Sequence, residues 1–160
     1  MSAEALRLGL VGCGRLAELG YGPAIERVRG VRLVAVADPD RIRRERVAGR
    51  FGAAQGDTVR ALPDAEALLA AVPVDALVLA SPTSAHLADA TAAAAAGVAV
   101  LVEKPPAPDA GGAARLAALT PVPWVAFNRR FDPGARAARD AVPAAGDLDL
   151  HLEPAYRRRS

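Results

Sequence analysis

The chain of 160 residues is the size of one compact domain and not comfortably of two. It is 52% apolar, 24% charged and only 4% aromatic, which excludes disordered, collagen-like and low-complexity classes and predicts a core of Ala, Val and Leu with few large anchors. A formal charge of +2 is too small to argue for nucleic acid, and Arg157 to Arg159 reads as a solvated terminus.

Apolar β-branched runs recur with helical stretches between them, the sequence form of a parallel sheet covered by helices on both faces. Strands are expected at 7–11, 31–37, 74–80, 98–102 and 122–127, with a weak one at 57–60. Most are continuous apolar runs, as expected of strands buried on both faces. Helices are expected at 15–29, 40–51, 64–71, 84–96, 109–119 and 133–142, with Asp40, Asp64, Ser84 and Asp109 as N-caps and Gly30, Gly52 and Gly97 as stops. Gly20, Gly22 and Pro23 interrupt the first helix and predict a bend. Near the end, Leu148, Leu150 and Leu152 alternate with Asp149, His151 and Glu153, a strand that cannot bury its leucines alone.

The first strand runs into Gly12-Cys13-Gly14-Arg15-Leu16-Ala17. Gly12 suits a tight turn, Gly14 lets the backbone approach a pyrophosphate, Ala17 permits close helix packing, and the N–H groups at Arg15 and Leu16 can receive the anion. A plain glycine turn is the alternative, but the position after a strand and at the opening of a helix is the context a dinucleotide loop requires. Asp38 ends the second strand 24 positions after Gly14, where a carboxylate accepts hydrogen bonds from the adenine ribose. It would repel a 2′-phosphate, so NAD is expected over NADP; Arg41, Arg43 and Arg44 argue the other way. Asp38-Pro39-Asp40 also reads as a turn and helix cap.

Nineteen of the twenty basic residues are arginine, and Lys104 stands alone. It lies in Glu103-Lys104-Pro105 after the fifth strand, on the edge where parallel sheets bind ligands. An ammonium there can hydrogen-bond a substrate oxygen and exchange a proton as hydride moves, although a surface salt bridge before a proline turn is the blander reading. Ser81, Thr83 and His86 follow the fourth strand on the same edge. A lone histidine in a first helical turn is more often structural, and two histidines make a metal site improbable. Cys13 is a small filler, because no histidine accompanies it. A single cysteine, the lack of a signal-peptide pattern at Met1 to Glu4, and an apolar run at 92–102 of about half the ~20 residues a membrane helix needs favour the cytoplasm and exclude a membrane span.

At these residues the chain resembles the N-terminal domain of the Gfo/Idh/MocA family, which includes glucose-fructose oxidoreductase and inositol dehydrogenase. The likeness rests on Gly9 to Gly14, Pro23-Ala24-Ile25, Val36 to Pro39, Ser81-Pro82 with His86, Gly97, Glu103-Lys104-Pro105 and Asn128 to Phe131 with the preceding Phe127. It implies a doubly wound, mostly parallel six-stranded Rossmann sheet at 1–145, with 146–160 a remnant or first strand of an otherwise absent α+β domain. It implies that Gly12, Gly14, Arg15, Leu16, Asp38, Ser81, Thr83, His86, Glu103 and Lys104 hold the cofactor, with Lys104 also contacting the hydroxyl that is oxidised. The family's second domain usually carries an Asp-x-x-x-His pair for proton transfer, expected to be missing here. The implied function is an NAD-dependent oxidoreductase acting on a sugar, cyclitol or related compound, as a fragment or with a complementing chain or homo-oligomeric partner. A non-catalytic NAD-binding module for sensing or assembly is the alternative. Short-chain dehydrogenases are disfavoured because neither Tyr21 nor Tyr156 precedes Lys104 at the required spacing, and no recognition helix supports a DNA-binding role.

Overall fold

The computed structural model describes residues 5–142. The alternating leucines, the terminal arginines and the expected division after residue 145 lie outside the described residues. Six strands, β1 (Leu6–Val11), β2 (Val31–Ala37), β3 (Arg60–Leu62), β4 (Ala76–Leu79), β5 (Ala99–Val102) and β6 (Trp124–Val125), form one sheet in the order β3-β2-β1-β4-β5-β6. Every pairing is parallel. The winding reverses between β1 and β4, so a crevice opens beyond the carboxyl ends of these strands. This is the doubly wound Rossmann sheet expected from the alternation of apolar runs.

Two apolar layers lie against the sheet, and the period-two geometry of β4 feeds both: Leu77 and Leu79 enter one, Val78 the other. The first layer adds Leu68 of α3 (Ala65–Ala71), Ala90 and Ala93 of α4 (His86–Ala95) and Leu116 of α5 (Ala110–Ala117). The second takes Ile25 of α1 (Gly22–Arg27) and Val47 and Phe51 of α2 (Arg41–Gln55). Each fully buried leucine contributes about 1.5–3 kcal/mol by leaving water. Small residues on α4 let that helix lie close, which explains how a chain with few aromatics still closes its core.

Three local expectations are corrected. Gly52 does not stop α2, which continues to Gln55 and ends at Gly56 with φ +69°. Gly52 is small for another reason, since a Cβ there would meet the Asp57 carbonyl oxygen at 2.7 Å where the chain returns. Ser84 does not cap α4, whose start is a turn with no side-chain cap. The interrupted first helix is continuous but passes through a π-helical turn, Ala17–Tyr21, before α1. There the Gly22 N–H reaches back to the Ala17 carbonyl, and one extra residue per turn absorbs the strain ahead of Pro23. Asp40, Asp64 and Asp109 cap their helices as expected.

The chain divides into two units, Met1–Ala126 and Phe127–Ser160. In the described part of the second, a 3₁₀ turn, Asn128–Phe131, leads to α6 (Pro133–Ala141), where Asp132 accepts from the N–H groups of Gly134 and Ala135. The Arg130 and Arg136 guanidinium groups sit 5.1 and 5.7 Å from the Phe131 ring centre.

Candidate cofactor site

The two glycines of the turn after β1 serve different ends. Gly12 has φ +94°, and a Cβ there would lie 2.5 Å from the Ser81 nitrogen and 2.6 Å from the Ala80 carbonyl. Only glycine lets the β1 turn lie against the end of β4. A Cβ on Gly14 would meet no protein atom within 4 Å. Packing therefore does not require glycine there; the bare backbone faces open space at a helix start. The Gly12 N–H is bound to the Ala37 carbonyl at 2.7 Å and that of Cys13 to Asp38 at 2.8 Å, whereas the peptide groups of the first helical turn have no intrahelical acceptor. Gly14, Arg15 and Leu16 thus offer the N–H groups an anion needs, and Gly12 offers shape.

Asp38 is 7% exposed, and both its oxygens accept peptide N–H groups, Oδ2 from Cys13 and Oδ1 from Asp40, each at 2.8 Å. Its carboxylate ties the glycine turn to the end of β2 while retaining lone pairs for a further donor. The turn-and-cap reading holds beside this: Asp38 makes the turn by accepting the Asp40 N–H two residues on, and Asp40 caps α2. Cys13 fills the layer beneath. Burial, and then the nearby Asp38 charge, push its thiol up to about 12, so it is no nucleophile.

A cleft of about 560 Å³ opens at the switch point, lined by Val11, Gly12, Asp38, Arg43, Ser81 and Asp89 among others. Its other walls include Pro39, Pro63 and Ala65, a flat apolar rim. Three carboxylates face it, those of Asp38, Asp64 and Asp89. Of the three arginines that could hold a 2′-phosphate, Arg41 pairs with Glu45 at 2.7 Å and Arg44 donates to the Asp38 and Pro39 carbonyls. Arg43 reaches the cleft but pairs with Asp40 at 3.2 Å. The balance of charge opposes a phosphate on the ribose.

The loop after β4 is fixed from inside. The Ser81 hydroxyl donates to Asp89 at 2.9 Å, and burial raises the Asp89 carboxyl above its ordinary value against the lowering effect of that bond. His86 is 1% exposed, with Nε2 2.9 Å from the Ser81 carbonyl and Nδ1 3.2 Å from that of Pro106. Its ring joins the loop after β4 to the segment after β5. Ser81 lines the cleft, with Pro82, Ser84 and Ala85, which the sequence reading did not assign to the cofactor; Thr83 and His86 are not among its lining residues.

Glu103 and Lys104 follow β5 on the same edge, and the Glu103 N–H is held by the Leu79 carbonyl at 3.0 Å. Glu103 Oε2 accepts the Lys104 N–H at 3.0 Å, and Oε1 accepts the Tyr21 hydroxyl at 2.7 Å. The Lys104 side chain is exposed and, among the described residues, its ammonium has no hydrogen-bond or ion-pair partner. Among the described residues no salt bridge engages Lys104. Tyr21 was missed in the sequence because its approach to Glu103 depends on the π-helical turn, which no residue pattern announces. Among the described residues no group of three or more His, Cys, Asp or Glu could hold a metal.

Residues 6–121 match the model of an oxidoreductase family with an NAD-binding Rossmann fold, Gfo/Idh/MocA. The chain belongs to the Gfo/Idh/MocA family. It is 39% identical over 138 residues to inositol 2-dehydrogenase 4 of Saccharopolyspora erythraea, a match covering 83% of this chain and 39% of that protein. A solved structure described as a putative myo-inositol dehydrogenase from Sinorhizobium meliloti is 35% identical with a TM-score of 0.68, over 86% of this chain and 40% of that one. The WlbA dehydrogenase from Bordetella pertussis, solved with NADH and UDP-GlcNAcA, is 29% identical with a TM-score of 0.73, over 86% and 42%. The chain spans about two fifths of the length of these Gfo/Idh/MocA relatives. NAD, the cofactor expected from Asp38, is the one in the family's description. One sequence expectation is corrected: an Asp-x-x-x-His spacing does occur, at Asp147 and His151, outside the described residues. No helix among the described residues is long and apolar enough to cross a membrane.

Proposed function

We propose that this chain carries the cofactor half of an NAD-dependent oxidoreductase that interconverts a hydroxyl and a carbonyl on a cyclitol or sugar. The observation that carries this reading is Gly14, bare toward open space beside N–H groups that the fold leaves without acceptors. Gly14, Arg15 and Leu16, which are not among the lining residues of the cleft, would hold the diphosphate beside it, Asp38 the adenine ribose within it, and Ser81 and the rest of its loop the adjoining wall, with Thr83 and His86 supporting that loop from behind. Bound NAD supplies the hydride acceptor for the hydroxyl, and NADH the donor for the carbonyl.

The chain's own contribution to the chemistry is Lys104, with Glu103 beside it. Its side chain would donate to the substrate oxygen and exchange the proton that this oxygen loses or gains as the carbon–hydrogen bond breaks or forms. The curated relative's name, inositol 2-dehydrogenase, supports a ring of hydroxyls as the substrate class. We place the reaction in the cytoplasm, where a lone buried thiol such as Cys13 stays reduced, and propose that a substrate-binding half, from further sequence of the same protein, a complementing chain or a homo-oligomeric partner, completes the substrate pocket. Titration with NADH and NADPH tests the reading. NADH is expected to bind more tightly; binding of neither removes the cofactor site, and a preference for NADPH removes the role of Asp38.

A further inference from the structure

Tyr21 follows the glycine turn closely in the sequence but lies 82 positions before Glu103, and three observations bring it to the reaction edge. Its hydroxyl donates to Glu103 Oε1 at 2.7 Å across 82 positions of chain. The other oxygen of the same carboxylate accepts the peptide N–H of Lys104 at 3.0 Å. Tyr21 itself closes the π-helical turn that starts three residues after Gly14, a form of helix that recurs where a side chain must be re-aimed. The Glu103 carboxylate thus joins the helix of the glycine turn to the backbone of the sole lysine.

The lysine needs such a tie. Its ammonium has no partner among the described residues, so its side chain is directed only by the backbone it springs from. That backbone leaves β5 at Val102 and is followed by Pro105 and Pro106, neither of which has an N–H to anchor it. Hydrogen bonds to a charged acceptor are stronger than neutral ones, and a carboxylate held at both oxygens has one orientation. Half-burial, and then Glu103, push the Tyr21 phenol above its ordinary value, so it stays a donor. The glycine that follows it sets how this helix packs: a Cβ on Gly22 would penetrate the Phe51 ring, so only glycine lets the helix lie this close to α2.

We propose that Tyr21 is a positioning residue of the hydride-transfer site, acting through Glu103 to hold the Lys104 backbone and hence the direction of its ammonium. The inference rests on Lys104 meeting the substrate as proposed above.

The test is amide hydrogen exchange in the whole chain, comparing the wild type with Tyr21→Phe, which removes only the hydroxyl. The Lys104 amide is expected to exchange about five- to tenfold faster in the variant, as for the net loss of one ordinary hydrogen bond, while Val100 and Val102 of β5 keep their rates. An unchanged Lys104 rate in a folded Tyr21→Phe overturns the proposal. Should that variant unfold, the absorbance titration of Tyr21 leaves residue 21 intact: its midpoint is expected to fall in Glu103→Ala, and an unchanged midpoint overturns the tie. Because Lys104 is the single lysine, its acylation by sulfo-NHS acetate with and without NADH reports separately on the site. Absence of protection overturns the placement of Lys104 at the cofactor and with it the catalytic meaning of the pair, whereas normal protection with an unchanged amide rate overturns the pair alone.

Discussion

The two ends of the crevice are built in opposite ways. Around Gly12 and Asp38 almost every polar group is engaged within the protein: the N–H groups of Gly12, Cys13 and Asp40 are all held, and Asp38 is buried with both oxygens in use. Around Lys104, among the described residues, the carboxylate of Glu103 provides the side-chain tie and the exposed ammonium has no partner. On the proposed function, the difference follows from what each end would do. A surface that binds a large, invariant cofactor gains from being preformed, since ordering costs are met on folding. A proton-transferring group must keep its donor capacity for the substrate, so partners from its own chain would compete with the reaction.

The strongest way to break this comparison is at Gly12. Gly12→Ala forces a side chain to φ +94° and into the backbone of Ala80 and Ser81, for which about 3 kcal/mol or more is expected. Thermal unfolding should show a Tm lower by on the order of 10 °C. Two residues on, a Cβ at Gly14 meets nothing beyond its chain neighbours within 4 Å, so Gly14→Val should move Tm by no more than a few degrees. Its NADH affinity should fall by about two orders of magnitude, because the branched side chain occupies the approach to the N–H groups. Similar effects of the two substitutions on both Tm and affinity would show that the glycines are interchangeable and that Gly14 faces no ligand.

At the other end, Lys104→Ala should leave Tm within about 1 °C, since its exposed ammonium makes no bond to lose. In an enzyme completed by the substrate half, turnover is expected to drop by about 10²–10⁴-fold, the range for removing a positioned acid–base group. Steady-state kinetics with a cyclitol checks this, and wild-type turnover in the variant would remove Lys104 from the chemistry. At the buried end, the Cys13 thiol held at about 12 sets an alkaline limit. The folded state keeps its proton while the unfolded thiol, near 8.5, loses it, so this contribution is present below the unfolded value and lost as pH rises to about 12. Denaturant titrations between pH 8 and 11 should therefore show stability falling less steeply in Cys13→Ala than in the wild type.

The preformed end was the more legible in the sequence. A positive-φ turn after a strand has few solutions, so Gly12 and Gly14 with Asp38 at the next strand end carry their geometry in their spacing. What the spacing did not show is that Asp38 also holds the Cys13 peptide group, because a tie between two loops belongs to tertiary structure. The catalytic end was legible only as an exception in composition, one Lys among nineteen Arg. Its neighbours were opaque: Tyr21 needs the π-helical turn, His86 needs two carbonyls from separate loops, and Gly52 mimicked a helix stop while making room for Asp57. Each depends on an approach between distant segments, which local propensity does not encode.

The opposite edge of the sheet offers a control with the smallest expected effect. There Arg7 and Asp75 join the starts of β1 and β4: the Asp75 carboxylate accepts the Arg7 N–H at 2.7 Å and its guanidinium at 2.7 and 3.2 Å. The Arg7 bonds hold the Asp75 carboxyl at about 2, below its ordinary value. The unfolded chain takes up this proton near pH 3.9, so the stabilisation is present above that value and is lost as pH falls to about 2. Solvent around this exposed pair screens it, so a small effect is expected. Acid titration of stability should fall less steeply from pH 4 to 2 in Asp75→Asn than in the wild type, while NADH affinity at neutral pH stays unchanged. A large loss of NADH binding in that variant would mean that the two edges of the sheet are coupled, and that the crevice is less self-contained than its internal hydrogen bonds indicate.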